Sequence, residues 1–279
     1  MLGHQVVNYF LRFHDYDVID IALRSKLREK TIISDVTDGV AFERVVTEQS
    51  PDFIVNCIGV LIHGSSNVGN AIYLNAYLPH QLKKISKNIG AKLIHISTDC
   101  VFSGSKGGYI ESDVKDGQGI YPQTKILGEI EDDSNLTLRT SIVGPELKIN
   151  GEGLFHWFMN QQGDISGFTK SIWSGVTTIE LAKAVKWSID NEITGLYHVT
   201  NNTIISKYEL LKLLQKHIKK DINIKPVDGN NVDKSFIDTR LLMNYKIPSY
   251  DEMISDMASL IVNNRSLYSQ YKVGSFEKE

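Results

Sequence analysis

Cysteine is scarce in this 279-residue chain, and Cys57 and Cys100 are its only examples. Two cysteines cannot form the disulfide framework of a small secreted domain, and both lie at the ends of apolar stretches, where they read as small core residues. A reducing compartment fits that pattern. No run of about 18 apolar residues occurs, so no membrane-spanning helix is expected. The opening residues, MLGHQVVNYFLRF, are too polar and too weakly basic for a signal peptide. Excess charge of one sign is lacking too: 30 Lys and Arg face 33 Asp and Glu, for a net charge of -3. No whole-molecule field then favours nucleic acid or an anionic membrane. Eight histidines are scattered without His-Glu-x-x-His or any comparable ligand spacing, which argues against a metal site. What remains is a cytoplasmic protein, 42% hydrophobic and long enough to bury a full core, with a small molecule as its expected ligand.

Apolar, β-branched runs alternate with helical periodicity along most of the chain, the pattern of βα units. Strands are expected at 17–23, 31–34, 53–58, 92–97, 136–141 and 196–200. Helices are expected at 4–13, 39–49, 69–88, 124–131, 154–162, 178–190, 207–218 and 251–262. The fold class is α/β, a doubly wound parallel sheet of Rossmann-like form with a smaller C-terminal substrate-binding part. Residues 1–144 form the expected dinucleotide-binding core, 145–262 a mixed segment of substrate-binding and late core elements, and 263–279 a loose polar tail. The N-terminus departs from this plan. A dinucleotide-binding sheet places its first strand centrally and follows it with a glycine-rich turn and a helix. MLGH begins inside that turn, with Gly3 where the last glycine would stand. The expectation is that the natural chain starts earlier; the rival reading is that it starts here, without the strand.

HISTDCVFSG, residues 95–104, carries the first chemical signal. A strand that ends in Thr98, Asp99 and Cys100 places polar side chains in the crevice where parallel sheets hold ligands. Tyr121 and Lys125, in YPQTK, are four apart and would share one helix face. The same spacing recurs at Tyr208/Lys212 and Tyr268/Lys272, so it selects nothing by itself. Tyr208 reads as a packed helix face and Tyr268 as part of the tail. Only Tyr121 follows a strand ending in a threonine and leads through a helix to another apolar strand. Such a trio suits the delivery of a proton to a carbonyl oxygen: the ammonium lowers the phenol's pKa, and the threonine hydroxyl holds the oxygen in place.

HISTDCVFSG, GGYIESD, YPQTKILGE and LRTSIVG together resemble the extended short-chain dehydrogenase/reductase family, in the branch of dTDP-4-dehydrorhamnose reductase and related nucleotide-sugar 4-ketoreductases. The resemblance runs from Gly3 to GLYHVT. It implies a catalytic set of Thr98, Tyr121 and Lys125, with Lys125 also reaching the nicotinamide ribose. It further implies cofactor contacts at Gly3, Arg24, Asp35, Val36, Cys57, Ile58, Gly59 and Asn75. Arg24 stands where the family meets an adenosine 2′-phosphate, and no acidic residue takes the place that grips a 2′-hydroxyl, so NADPH is favoured over NADH. Related dehydratases carry Glu after Thr-Asp. Cys100 here, an unsuitable acid, favours simple reduction. The implied substrate is a UDP- or dTDP-linked 4-keto-6-deoxy sugar, met by Thr98, Asp99, Cys100 and Ile142, for surface polysaccharide synthesis. Two alternatives stay open: an epimerase of the same fold, and a non-catalytic NADP-binding regulatory subunit. A homodimer is also left open. GFTKSIWSGVTT reads as a loop entering a helix, with Thr177 or Thr178 as its cap.

Overall fold

The structure is a computed structural model that describes residues 1–62, 64–240 and 244–273. Its helices are α1 (Leu2–Phe10), α2 (Gly39–Gln49), α3 (Val68–Ala71), α4 (Leu78–Ile89), α5 (Ile120–Gly128), α6 (Leu154–Asn160), α7 (Thr178–Asp190), α8 (Lys207–Ile218) and α9 (Tyr250–Asn263). A π-helical segment, Ile72–Tyr77, joins α3 to α4. The strands are β1 (Ile21–Ala22), β2 (Ile32–Ile33), β3 (Phe53–Asn56), β4 (Lys92–Thr98), β5 (Leu136–Thr140), β6 (Ile142–Val143), β7 (Asp164–Phe168), β8 (Ser171–Trp173), β9 (Val176–Thr177), β10 (Gly195–His198), β11 (Ile205–Ser206), β12 (Asn223–Val227) and β13 (Val232–Asp233).

The main sheet is parallel, in the order β10-β5-β4-β3. β4 lies inside it with Leu93, Ile94, His95, Ser97 and Thr98 all buried, as a strand covered on both faces requires. Its registers bring the C-terminal ends of β4 and β5 level, Thr98 beside Thr140, while β3 ends three residues earlier with Asn56 beside His95. β1 and β2 pair with each other in a separate parallel sheet, and among the described residues no ladder joins them to β3. The expected doubly wound sheet is thus present in two pieces.

Local sequence explains the elements that carry this frame. α4 continues directly from the π segment, carries Pro79 in its first turn, and ends on Gly90 in the left-handed region (φ 76). Leu78, Leu82 and Ile85 repeat at helical spacing and are buried, packing with Leu93 of β4. Reciprocal capping boxes, Ser206 with Glu209 and Ser249 with Glu252, start α8 and α9. Thr177, not Thr178, caps α7. Beyond the main sheet, β7 pairs with β12, β8 with β11 and β13, and β6 with β9. No helix among the described residues is long and apolar enough to cross a membrane.

Three expectations need correction. α5 begins at Ile120 instead of 124, because Gly119 (φ 94) turns the chain sharply into it. The helix expected at 69–88 is broken by the π segment. The polar tail is anchored as far as it is described: Tyr268 is 1% exposed and Tyr271 is buried. The Tyr268 hydroxyl takes a hydrogen bond from Gln5 Nε2 at 2.6 Å and contacts His4 Nε2 at 3.0 Å, while Tyr271 donates to Glu146 O and meets His156 Nδ1. Polar composition misled here, since tyrosines spaced three apart had one face to bury. The last six residues of that expected tail lie outside the described ones.

Candidate active site

Thr98 closes β4 in extended conformation, and its hydroxyl caps the single turn Asp99–Val101 by accepting from Cys100 N at 3.2 Å. It donates to Asp99 Oδ1 at 3.0 Å. A short polar residue therefore stops the strand and turns its side chain toward the sheet's C-terminal edge. Burial, followed by the charge of Asp99, pushes the Cys100 thiol up to about 12, so it stays a thiol at neutral pH.

Tyr121 sits in the first turn of α5, and Lys125 one turn later is buried. Thr98 acts on the Tyr121 hydroxyl, lowering its pKa against the effect of burial. α5 reaches this place because Gly128 lets it lie against the π segment: a Cβ there would stand 1.9 Å from Asn75 O. Asn75, fully buried, binds both sides of the contact. Its Oδ1 accepts from Val60 N at 3.0 Å, and its Nδ2 donates to Val60 O at 3.1 Å and to Thr124 Oγ1 at 3.3 Å. π insertions often mark functional positions, and this one delivers Asn75 to the turn after β3.

The electrostatics differ from the sequence expectation. Burial raises the Tyr121 phenol well above its ordinary value, the charges of Cys100 and Asp99 add to that, and Thr98 opposes it. Lys125 does not acidify the phenol here, because its Nζ turns to the sheet and donates to Ile96 O at 2.8 Å. Burial lowers Lys125 to about 8, with Glu129 pulling in the opposite direction. The phenol is thus a firmly held proton beside a weakly held one.

Other expected positions fall into two groups. Cys57, Ile58 and Gly59 form the turn that Asn75 pins, and a Cβ on Gly59 would approach Asn75 Oδ1 to 3.1 Å. Gly3 of α1 faces the same turn: a Cβ on it would stand 3.6 Å from Cys57 Cβ. Burial pushes the Cys57 thiol up to about 12. Arg24 is exposed just past β1. Asp35 is exposed and accepts from Thr37 N and Oγ1, while buried Val36 accepts from the Tyr73 hydroxyl at 2.9 Å. Ile142 pairs with Val176, two residues beyond Thr140 at the end of β5. The structure gathers Thr98, Asp99, Cys100 and Tyr121 at one edge, with Lys125 and Asn75 behind them.

Sequence reasoning missed the layer below. Arg139, 1% exposed, forks onto Glu129 through Nε (2.8 Å) and Nη2 (2.7 Å), and its Nη1 faces His198 Nε2 at 2.9 Å. Ser97 and Lys115 also donate to Glu129. This cluster fastens α5 to β4 and β5. An arginine inside the apolar run LTLRT was its available signal, since a charge in a central strand needs a partner.

Comparison with known proteins places these features. Residues 17–235 match the RmlD substrate binding domain. A dTDP-4-dehydrorhamnose reductase of Mycobacterium tuberculosis is 37% identical over 102 residues, covering 34% of this chain and 33% of that protein. The aligned stretch thus spans about a third of the relative's length. Bovine methionine adenosyltransferase 2 subunit beta is 25% identical over 225 residues, covering 75% of this chain and 67% of that one. Among solved structures, a dTDP-4-dehydrorhamnose reductase from Bacillus anthracis in complex with NADP superposes with a TM-score of 0.70 at 24% identity, covering 84% of this chain and 92% of that one. The likeness to it is one of fold.

Proposed function

The chain belongs to the RmlD substrate binding domain family, and from that premise we propose that it reduces the 4-keto group of a dTDP- or UDP-linked 6-deoxy sugar. The setting is the cytoplasmic synthesis of surface polysaccharide precursors. The observation that carries this reading is the placement of Thr98 at the C-terminal end of β4 and of the half-buried Tyr121 in the first turn of α5, with Lys125 one helical turn on.

NADPH, when bound, supplies the hydride. The turn 57–59, tight against Asn75, suits its adenosine ribose, Lys125 its nicotinamide ribose, and exposed Arg24 a 2′-phosphate. Thr98 Oγ1, turning its proton from Asp99 Oδ1, and the Tyr121 hydroxyl would donate to the ketone oxygen and hold it in one orientation. As negative charge grows on that oxygen, Tyr121 gives up its proton, which burial had kept on the phenol. Lys125, lowered to about 8, is still largely an ammonium at neutral pH; with its Nζ on Ile96 O it would stabilise the phenolate only after turning toward Tyr121. Cys100 stays protonated and takes no part in proton transfer, which disfavours dehydration.

Spectrophotometric assay of NADPH oxidation with a panel of dTDP- and UDP-4-keto sugars tests this. Turnover is expected, with a loss of about 10²-fold or more in Tyr121→Phe; undiminished turnover in that variant overturns the mechanism. The similarity to methionine adenosyltransferase 2 subunit beta supports a second reading, a non-catalytic NADP-binding subunit. Tight NADP(H) binding without turnover of any sugar would decide for it.

A further inference from the structure

Behind Lys125 lies a pair of buried groups that the proposed reaction does not use. We propose that Asn56 fixes His95 as the tautomer protonated at Nε2, and that this N–H, aimed at Lys125, makes His95 the positioning residue governing when the lysine carries its proton.

The hydrogen bonds leave one consistent assignment. The Ile58 backbone N–H can only donate, and it lies 3.0 Å from Asn56 Oδ1. The carboxamide oxygen of Asn56 must therefore face the turn, and its amide nitrogen faces His95 Nδ1 at 3.2 Å. An amide NH₂ has no lone pair to offer, so Nδ1 must accept and be bare. His95 is fully buried, and burial, followed by the Lys125 charge, holds it well below its ordinary value and hence neutral. A neutral ring with a bare Nδ1 carries its proton on Nε2.

Nε2 lies 3.4 Å from Lys125 Nζ. Toward an ammonium this is donor against donor, whereas a neutral amine offers a lone pair to the Nε2–H. His95 therefore favours the uncharged lysine. Other groups facing Lys125 act differently: Ile96 O accepts from it, Glu129 on the same helix favours the charge, and Tyr121 lies one turn back. His80 acts on His95 from the helix side, and it too disfavours a second charge. The same Asn56 side chain fastens the turn 57–59. Withdrawal of the Ile58 N–H would free Asn56 to rotate, let Nδ1 take the proton and let Nε2 accept from the ammonium. Turn geometry and lysine charge are thereby linked.

The catalytic reading of Lys125 gives this device its use, but the test does not need activity. In the full chain, ¹⁵N shifts of the histidine ring report the tautomer, and ¹³Cε-lysine shifts report the Lys125 titration. His95 should show Nε2–H, and Lys125 should titrate below an ordinary lysine. Asn56→Leu should move the ring proton to Nδ1 and raise the Lys125 midpoint by about one pH unit, a tenfold change in proton affinity. His95→Gln should raise it similarly, its oxygen turning to the ammonium. A wild-type ring protonated at Nδ1, or a Lys125 midpoint unmoved in both variants, overturns the proposal. If neither variant folds, the wild-type tautomer decides. Absence of ketone reduction together with the expected shifts would sink the enzyme reading and leave this one standing.

Discussion

Glu129→Gln removes one charge from a cluster with no water to replace it. Side chains of Glu129 and Arg139 are each 1% exposed, and the carboxylate accepts from both arms of the guanidinium, from Ser97 at 2.6 Å and from Lys115 at 3.1 Å. Glutamine keeps one acceptor oxygen but turns an NH₂ toward donors, and leaves Arg139 with His198 Nε2 and Glu111 O as its other contacts. Breaking a buried pair from one side costs about 3–5 kcal/mol, which for a chain of this size lowers the melting temperature by about 10 °C. Urea unfolding at pH 7 measures it. Replacing both residues by leucine should cost less than the sum of the single changes, because no charge is then stranded. The pH dependence has a definite sign. Burial alone would raise the Glu129 carboxyl, but Arg139, Ser97 and Lys115 bring it below its ordinary value. Its contribution is therefore full above the unfolded carboxyl's value, about 4.3, and is lost as pH falls through the lower folded value. The variant should converge on wild type in acid. Since Glu129 also supports the Lys125 charge, the variant's lysine should titrate below about 8. A stability loss under about 1 kcal/mol at pH 7 would refute the claim that this pair is unreplaced by solvent.

Gly128→Ala places a Cβ 1.9 Å from Asn75 O, a backbone atom that cannot rotate aside; a loss of about 1–3 kcal/mol or more is expected by thermal melting, and a neutral result would show that α5 can stand off the π segment. Tyr268→Phe deletes the hydroxyl shared by His4 and Gln5, and should cost about 1–3 kcal/mol with faster proteolysis of the C-terminal segment. Burial lowers His4 to about 3 and, together with the Arg139 charge, His198 to about 4, so both remain neutral in the fold. The unfolded chain binds those protons from about pH 6.5 downward. Stability should therefore be complete above that pH and fall between 6.5 and 4.5, before most carboxylates titrate. A flat urea midpoint across that window would contradict the burial of these rings.

The alternating pattern was legible because a buried parallel strand must be apolar on both faces and its helix on one, and those demands are local. β4, β5, α2, α7 and α8 follow it closely. Thr98, Tyr121 and Lys125 were legible too, since a strand-end hydroxyl and a four-residue spacing are statements about single elements. Tyr268 was misread, because whether a polar segment is anchored depends on what faces it, here His4 and Gln5 from the other end of the chain.

Sequence alone therefore determined the fold class, and it singled out the candidate residues that the structure brings to one edge of the sheet. Tertiary structure decided their protonation. Lys125 Nζ turns to Ile96 O, beside His95, instead of to the phenol, and Glu129 is committed to Arg139. Propensity and spacing are properties of neighbours along the chain, whereas the free energy of a charge depends on every dipole and every missing water around it in space.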